Sequence, residues 1–219
     1  MYLCGQNMAI ISHIRQLDGA IQSNEEHQQG VAQRAGAFAN VFGMGDCGRI
    51  MGLLHDKGKE QAEWQKYIRG MIQNGPYHAY VGACIVQKQY PQIAPFIAQP
   101  IAGHHRGLYD YCDYVEVTKR DFPNDVMIGD VIPFSFPKLP KLEKYDYHQL
   151  VRMMFLCLAD ADSLDTESFM TPEQARLRGS QTSLEELLDK QERYLRALKS
   201  DAYETEVKRI RNNASSPAF

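Results

Sequence analysis

Apolar residues recur every three or four positions along most of the chain, which is the spacing of one helix face. The clearest case is SNEEHQQGVAQRAGAFANVF, where Ser23 and Glu26 match the capping box that begins a helix. The apolar face that follows includes a histidine, so we expect that histidine to point toward the core. The predicted members of this face are His27, Val31, Ala35, Phe38 and Phe42.

Further stretches with the same period predict helices up to about residue 105. DCGRIMGLLHDKGK predicts a helix capped by Asp46 and stopped by Gly58. AEWQKYI predicts a short helix, and Pro76 is placed to start the next one, YHAYVGACIVQKQY. PQIAPFIAQPIAGHH predicts a proline-interrupted helix that ends near His104 and His105.

The helical pattern breaks down between about residues 106 and 145. RDFPNDVMIGDVIPFSFPKLPKLEKY has four prolines and no sustained period, so we expect an irregular excursion over the helical body. YDYHQLVRMMFLCLADADSLDTE then predicts an apolar helix that is buried on most sides, and SLEELLDKQERYLRALKS predicts a charged amphipathic one. No strand-rich stretch competes, and the predicted fold class is all-α.

The composition fits a folded protein without a membrane segment. The chain has 219 residues, 44% of them hydrophobic, which suits one domain with appendages. It has no run of 18 apolar residues, and its first residues lack the basic-then-apolar pattern of a signal peptide. Five scattered cysteines form no CxxC pair, which is typical of a reducing compartment. We therefore expect a cytoplasmic protein with no membrane partner.

Histidines and aspartates are the residues that point to chemistry. A single histidine on an apolar helix face is more often a hydrogen-bonded core residue than a ligand. Here four predicted helices each bring a histidine, and a fifth brings Asp162 on the face of Val151, Phe155 and Leu158. A carboxylate on such a face is costly unless it is paired or metal-bound. Imidazole and carboxylate together suit iron, manganese, nickel, cobalt or zinc, and helical bundles commonly build binuclear sites this way.

The order of these residues resembles a known signature. His27, the pair His55–Asp56 and a late aspartate resemble the H…HD…D signature of the HD metal-dependent phosphohydrolase superfamily. More specifically, SNEEHQQGVAQRAGAFA, GLLHDKGKEQAEWQKYI, HAYVGA, PIAGHHRGL and LADADSLDTE are similar to the HD nuclease domain of type I CRISPR effector proteins. The resemblance extends from about residue 10 to about residue 170. It implies an HD-domain helical bundle over residues 1–180, followed at 181–219 by an amphipathic helix that would lead, in a fused protein, to a helicase.

The resemblance also implies a binuclear metal site between the helices. Asp56 would be shared by two divalent ions: manganese, nickel, cobalt or iron, with magnesium also admissible. The implied ligands are His27, His55, Asp56 and Asp162 for one ion, and Asp56, His78, His104 and His105 for the other. Asp160 competes with Asp162, and the family pattern ADxL favours Asp162.

Two further residues have implied roles at the substrate. Lys59, the lysine of the HDxGK motif, is expected to act in catalysis beside Asp56, either on a phosphate oxygen or on the attacking water. Arg106, directly after the histidine pair, is a candidate phosphate contact. Aromatic residues could also stack on bases, although ordinary packing is the better interpretation for Trp64. The aromatic candidates are Trp64, Tyr67, Tyr77 and Tyr109.

The implied activity is metal-dependent endonuclease or exonuclease cleavage of single-stranded DNA, in CRISPR interference against foreign DNA. The implied partners are single-stranded DNA, a helicase domain or subunit, and the RNA-guided surveillance complex. Two metal ions at such a site activate a water and clamp both oxygens of an in-line displacement. The net charge of −3 counts mildly against a nucleic-acid binder, but bound divalent cations reverse the local charge.

Three departures from the family pattern leave alternatives open. Tyr77 stands where the family has an aspartate before the third histidine, and Lys57 replaces an apolar residue inside HDxGK. The chain also has no Walker A motif, which fits either a stand-alone nuclease subunit or a fragment of a longer helicase-nuclease. An HD-type nucleotide or cyclic-dinucleotide phosphohydrolase and an inactive HD docking module are the alternative functions.

Overall fold

The computed structural model describes residues 9–135, 143–178 and 182–197. Contacts divide the chain into two units, Met1–Ala175 and Arg176–Phe219. The elements of the first unit are β1 (Ile11–Ile14), β2 (Ile21–Ser23), α1 (Asn24–Asn40), α2 (Gly45–Leu54), a 3₁₀ turn (Lys57–Glu60), α3 (Ala62–Ile68), α4 (Ala79–Gln89), α5 (Ala94–Gly103), α6 (Tyr111–Thr118) and α7 (Lys144–Met170). The described residues further along the chain form α8 (Pro172–Leu177), which crosses the division, and α9 (Leu184–Ala197). The described protein is therefore mostly helical, as the sequence predicts.

Helices α1 and α2 pack closely because small residues line the contact between them. A Cβ atom added at Gly52 would collide with the backbone of Ala32, and one added at Gly48 would collide with the carbonyl of Ala35. Helix α7 packs against α1 and α5, and α5 in turn packs against α4. The fully buried side chains from these helices form one core, and His27 and His55 are among them.

The start of α1 confirms the predicted capping box. The Ser23 hydroxyl accepts a hydrogen bond from the backbone N–H of Glu26 at 3.1 Å, and the Glu26 carboxylate accepts one from the backbone N–H of Ser23 at 2.9 Å. His27 is fully buried, as expected. The prediction that Phe38 belongs to the buried face is wrong, since Phe38 is 36% exposed. The buried positions of this face repeat every four residues, so Ala39 is buried instead.

A short antiparallel hairpin departs from the purely helical prediction. Strands β1 and β2 pair His13 with Gln22 and Ile14 with Ile21. The turn between them carries Asp18, which accepts hydrogen bonds from the Arg15 side chain and from the backbone of Ala20. The strands are only four and three residues long, too short for an alternating pattern to stand out in the sequence. The hairpin adds a small sheet to an otherwise helical fold.

The predicted irregular excursion at 106–145 is wrong in part. Helix α6 lies inside it, and Asp110 caps that helix by accepting a hydrogen bond from the backbone of Asp113 at 2.9 Å. The excursion also ends before 145, since α7 begins at Lys144. Between α6 and residue 135 the described chain has neither helix nor strand, and residues 136–142 lie outside the described part.

Several predicted helix ends are displaced by a few residues. The N-cap of α2 is Met44, while Asp46 lies in the first turn and accepts a hydrogen bond from the backbone of Ser135 at 2.7 Å. Helix α2 ends at Leu54 rather than at Gly58, so that His55 and Asp56 leave the helix together. Helix α4 starts three residues after Pro76.

Helix α7 is amphipathic rather than buried on most sides. Met154, Leu158 and Ala161 are fully buried, whereas Met153 is 42% and Leu156 is 56% exposed. Helix α9 occupies part of the predicted C-terminal amphipathic helix; the rest of that prediction lies outside the described residues. None of the helices in the described part combines the length and apolar character that crossing a bilayer requires.

Candidate metal centre

One carboxylate lies between two pairs of imidazole rings. Asp56 is 1% exposed and follows the end of α2. Its Oδ2 atom lies 3.3 Å from Nε2 of His55 and 3.4 Å from Nε2 of His27. Its Oδ1 atom lies 3.3 Å from Nε2 of His78 and 3.5 Å from Nε2 of His104. Each oxygen of the carboxylate therefore faces a different pair of histidines.

The first group of donor atoms comes from α1, from the end of α2 and from α7. His27, His55 and Asp162 each offer one atom, and these atoms lie within 4.8 Å of one another. Nε2 of His27 is 3.2 Å from Oδ1 of Asp162 and 3.3 Å from Nε2 of His55. Asp160 is exposed on α7, so it is Asp162 that the structure brings to this group.

The second group is formed where α4 begins and α5 ends. Asp56, His78, His104 and His105 offer donor atoms that also lie within 4.8 Å of one another. Nε2 of His78 is 3.0 Å from Nε2 of His105. His105 is exposed while His104 and Asp56 are buried, so this group lies closer to solvent than the first.

Backbone carbonyls fix the orientation of two of the rings. Nδ1 of His55 donates to the carbonyl of Gly52 at 2.8 Å, and Nδ1 of His104 donates to the carbonyl of Ile101 at 2.7 Å. A carbonyl only accepts, so each Nδ1 carries the hydrogen and each Nε2 of the neutral ring presents a lone pair to the cluster. Hydrogen bonds of this kind orient histidines that bind metals.

Asp165 fixes the orientation of the buried His27 ring, and it is not among the residues predicted from the sequence. Its Oδ2 atom lies 2.9 Å from Nδ1 of His27 and accepts a hydrogen bond from the Gln22 side chain, also at 2.9 Å. A Cβ atom at Gly30 would collide with the Asp165 carboxylate, so this glycine permits the approach of α7 to α1. The signal was present in the sequence, since Asp165 follows Asp162 at the i+3 spacing that shares a helix face.

His13 from the hairpin joins the same network and was also missed. Because the Gln22 amide nitrogen donates to Asp165, its oxygen is the atom that accepts from Nδ1 of His13 at 2.9 Å. The His13 ring meets the His27 ring edge-on at 4.6 Å. Burial, helped by the charges of Lys59 and His27, lowers the pKa of His13 to about 4.

Lys59 is buried next to the shared carboxylate. Its Nζ atom lies 2.6 Å from Oδ2 of Asp56 and donates to the hydroxyl of Ser12 at 3.1 Å. It also lies 5.2 Å from the centre of the Trp64 ring. Trp64 is only 6% exposed, in agreement with the packing role expected for it.

The centre is strongly anionic and stabilises positive charge. Burial works against the ionised form of Asp56, but the neighbouring Lys59 ammonium and histidine rings outweigh burial and hold the pKa of Asp56 well below its usual range. Burial likewise works against the His27 imidazolium, yet three carboxylates raise the pKa of His27 to about 10. Those carboxylates belong to Asp162, Asp165 and Asp56.

The second group contains histidines that stay neutral. Burial lowers the pKa of His78. Part of His105 is exposed, yet the protein around its ring removes water from it and, together with the neighbouring His104 and His78, lowers the pKa of His105. A neutral imidazole has the free lone pair that a metal ion needs, so these rings are ready to act as ligands without losing a proton first.

Unsatisfied polar atoms indicate that cations fit this centre. Oδ1 of Asp56 and Nε2 of His104 are buried, and no described residue gives either a hydrogen bond of good geometry. Such orphaned acceptors are rare, because each costs roughly 1–3 kcal/mol of desolvation. A cation beside them would satisfy both, and the imidazole and carboxylate donors suit a transition metal.

Tyr77 connects the two segments that supply the second group. Its hydroxyl donates to the carbonyl of Ala102 at 3.0 Å and accepts from the hydroxyl of Tyr109 at 2.7 Å. Tyr77 precedes His78, and Ala102 lies near the end of α5. Arg106 is exposed outside the donor groups, with its guanidinium 5.6 Å from the centre of the Tyr109 ring.

A cleft of about 590 Å³ opens beside the second group. Strand β1, helix α3 and the turn before α4 contribute to its walls, and Lys59, His78 and His105 are among the residues that line it. Two groups of donor atoms that could each hold a cation therefore lie on either side of one carboxylate, next to this cleft. No protein-family model matches the chain, and a search of curated proteins finds no match.

Proposed function

We propose that the chain is a metal-dependent phosphodiesterase, an HD-type nuclease that hydrolyses single-stranded DNA in CRISPR interference. The observation that carries the proposal is the Asp56 carboxylate, each oxygen of which faces a separate pair of histidine Nε2 atoms at 3.3–3.5 Å. Two cation sites joined by one carboxylate suit phosphoryl chemistry. The motif resemblance then points to single-stranded DNA among the phosphate esters.

Seven residues would hold two divalent ions. The proposed ligands are His27, His55, Asp56 and Asp162 for the buried ion, and Asp56, His78, His104 and His105 for the ion closer to solvent. When bound, such ions supply Lewis acidity and a water of lowered pKa. Manganese, nickel, cobalt and iron all suit these donors, and magnesium is the least suited because imidazole predominates.

Lys59 is proposed to hold charge at the reacting phosphate. Lys59 is among the residues that line the cleft, and its ammonium already pairs with Asp56 at 2.6 Å. A phosphate oxygen that enters the cleft would meet the same positive charge, which favours the anionic transition state. Arg106, exposed next to His105 in the sequence, would contact a phosphate farther along the strand.

The proposed partners follow from the substrate. A nuclease for single strands needs a process that exposes them, which we assign to a helicase domain or subunit acting with an RNA-guided surveillance complex. The second unit of the chain would lead toward such a helicase in a fused protein.

Cleavage of circular single-stranded DNA tests the proposal. Wild-type protein with manganese or nickel should linearise the circle, and neither EDTA-treated protein nor the Asp56→Ala variant should do so. A circle has no ends, so cleavage establishes endonuclease action. Wild-type-like cleavage by Asp56→Ala would contradict the mechanism. Hydrolysis of a nucleotide or cyclic dinucleotide without any cleavage of DNA would mean that the site is catalytic but that its substrate is not DNA.

A further inference from the structure

The cleft beside the second donor group has walls suited to a nucleotide. Its volume of about 590 Å³ lies within the range of roughly 300–1,000 Å³ that is usual for small-molecule sites. No aspartate or glutamate is among its described lining residues, whereas Lys59 is. The aromatic side chains of Trp64, Tyr67 and Tyr77 also line it. The cleft is therefore open to an anionic ligand with an apolar part.

Two of the aromatic residues in the cleft are already occupied by other contacts. Trp64 is 6% exposed and lies under the Lys59 ammonium. The Tyr77 ring stacks on Tyr80, with 5.9 Å between the ring centres, and the Arg120 guanidinium lies 5.3 Å from its centre. Both rings therefore already have partners within the protein.

Tyr67 differs because its ring is both fixed and exposed. Tyr67 is 43% exposed, and the Trp64 ring meets it at 70° with 6.2 Å between the ring centres. A Cβ atom at Gly75 would come within 2.7 Å of the Tyr67 ring, so the ring rests directly on the glycine of the Asn-Gly-Pro turn. A ring held in place before the ligand arrives loses little rotamer entropy on binding.

We propose that Tyr67 is a stacking platform for one unpaired nucleobase whose phosphate lies beside Lys59 in the cleft. Stacking needs the face of a base to be free, which holds for a single strand and not for a paired base inside a duplex. The fixed ring, the absence of lining carboxylates and the Lys59 ammonium together match the flat base and the anionic phosphate. The inference rests on the proposed function, which it extends from the site of cleavage to recognition of the substrate.

A comparison of normal and abasic oligonucleotides tests the inference by binding, independently of cleavage. The affinity of the EDTA-treated chain is measured by fluorescence anisotropy for a 12-nucleotide single strand and for its abasic counterpart. Wild-type protein should bind the normal strand roughly 5- to 100-fold more tightly than the abasic one, and Tyr67→Ala should lose most of that difference. Tyr67→Phe should retain it, because the ring and not the hydroxyl stacks.

The matched control is Tyr145→Ala, since Tyr145 is 73% exposed and does not line the cleft. It should bind both strands as the wild type does. Equal discrimination by Tyr67→Ala and wild type, or no discrimination by wild type, would overturn the inference whether or not the protein cleaves DNA. Conversely, base discrimination that depends on Tyr67 in a protein that cleaves no DNA would support the inference and contradict the proposed nuclease. In that case deoxyadenosine monophosphate, tested against deoxyribose phosphate, shows whether a free nucleotide suffices.

Discussion

At the scale of single residues, the centre depends on which atoms the surrounding protein fixes. The sequence motif gives a histidine or an aspartate, and the hydrogen bonds decide which atom of that side chain faces the cluster. Carbonyls orient His55 and His104, and a carboxylate orients His27. The motif resemblance predicted the residues whose donor atoms lie together here, and the spacing of Asp165 from Asp162 was a usable signal for Asp165. The role of His13 could not be anticipated, because it depends on the hydrogen bond between Gln22 and Asp165, which are far apart in the chain.

Replacement of Asp165 tests the orientation of His27. Asp165→Asn keeps the shape of the side chain and removes the charge that holds Nδ1 of His27. We expect roughly a 10- to 100-fold loss of affinity for the first ion, which is the usual effect of removing such a partner. The measurement is a metal titration followed by calorimetry. Asp160→Asn makes the same charge change at an exposed site on α7 and should leave the affinity unchanged; a loss there, or none for Asp165→Asn, would contradict this role.

Lys59 provides a second test at this scale, because its importance for stability should depend on bound metal. In metal-free protein Lys59→Met leaves the buried Asp56 charge without its 2.6 Å partner, which should cost roughly 3–5 kcal/mol. Bound cations would balance the charge of Asp56 instead, so the loss of stability should be smaller when manganese is present. Chemical denaturation with EDTA and with manganese measures the difference. Lys57→Met removes a partly exposed partner of Glu60 and should show a small loss that metal does not change.

At the scale of elements, the sequence predicted the long helices better than their ends. The predicted capping box of α1 is confirmed. It could be recognised from the sequence because Ser23 and Glu26 interact within one turn of the chain. The hairpin and α6 were missed because all three elements are short: the strands have four and three residues, and α6 has eight. The early end of α2 could not be predicted from a glycine alone, yet it is what turns His55 and Asp56 toward the same cluster.

Gly58 tests how closely these elements must approach. A Cβ atom there would collide with the backbone of His78, so the 3₁₀ turn and the start of α4 pack main chain to main chain. Gly58→Ala should push His78 away from Asp56, destabilise the fold by about 1–3 kcal/mol and weaken the second ion more than the first. Metal titration and thermal unfolding measure both effects. In the control Gly129→Ala the added methyl group enters open space, so neither the metal affinity nor the stability should change. Wild-type affinity for the second ion in Gly58→Ala would show that the close approach is dispensable.

At the scale of the whole molecule, the first unit brings together residues that are distant in sequence. His27 and Asp162 are held 3.2 Å apart by the packing of α7 on α1, and the hairpin, α2, α4 and α5 supply the other residues of the centre. Metal binding and folding should therefore support each other, because the unfolded chain has no such cluster. A metal at about 100 times its dissociation constant should add about 2.7 kcal/mol to the free energy of unfolding for each ion bound.

The number of metal ions bound per chain tests the central claim most directly. Protein loaded with manganese or nickel, freed of excess metal and analysed for its elements should contain two ions per chain. Asp56→Ala should contain fewer than one, because it removes the ligand that both sites share, while Asp160→Asn should keep two. A wild-type chain that holds no stoichiometric metal, or an Asp56→Ala chain that still holds two ions, would contradict the shared-carboxylate centre.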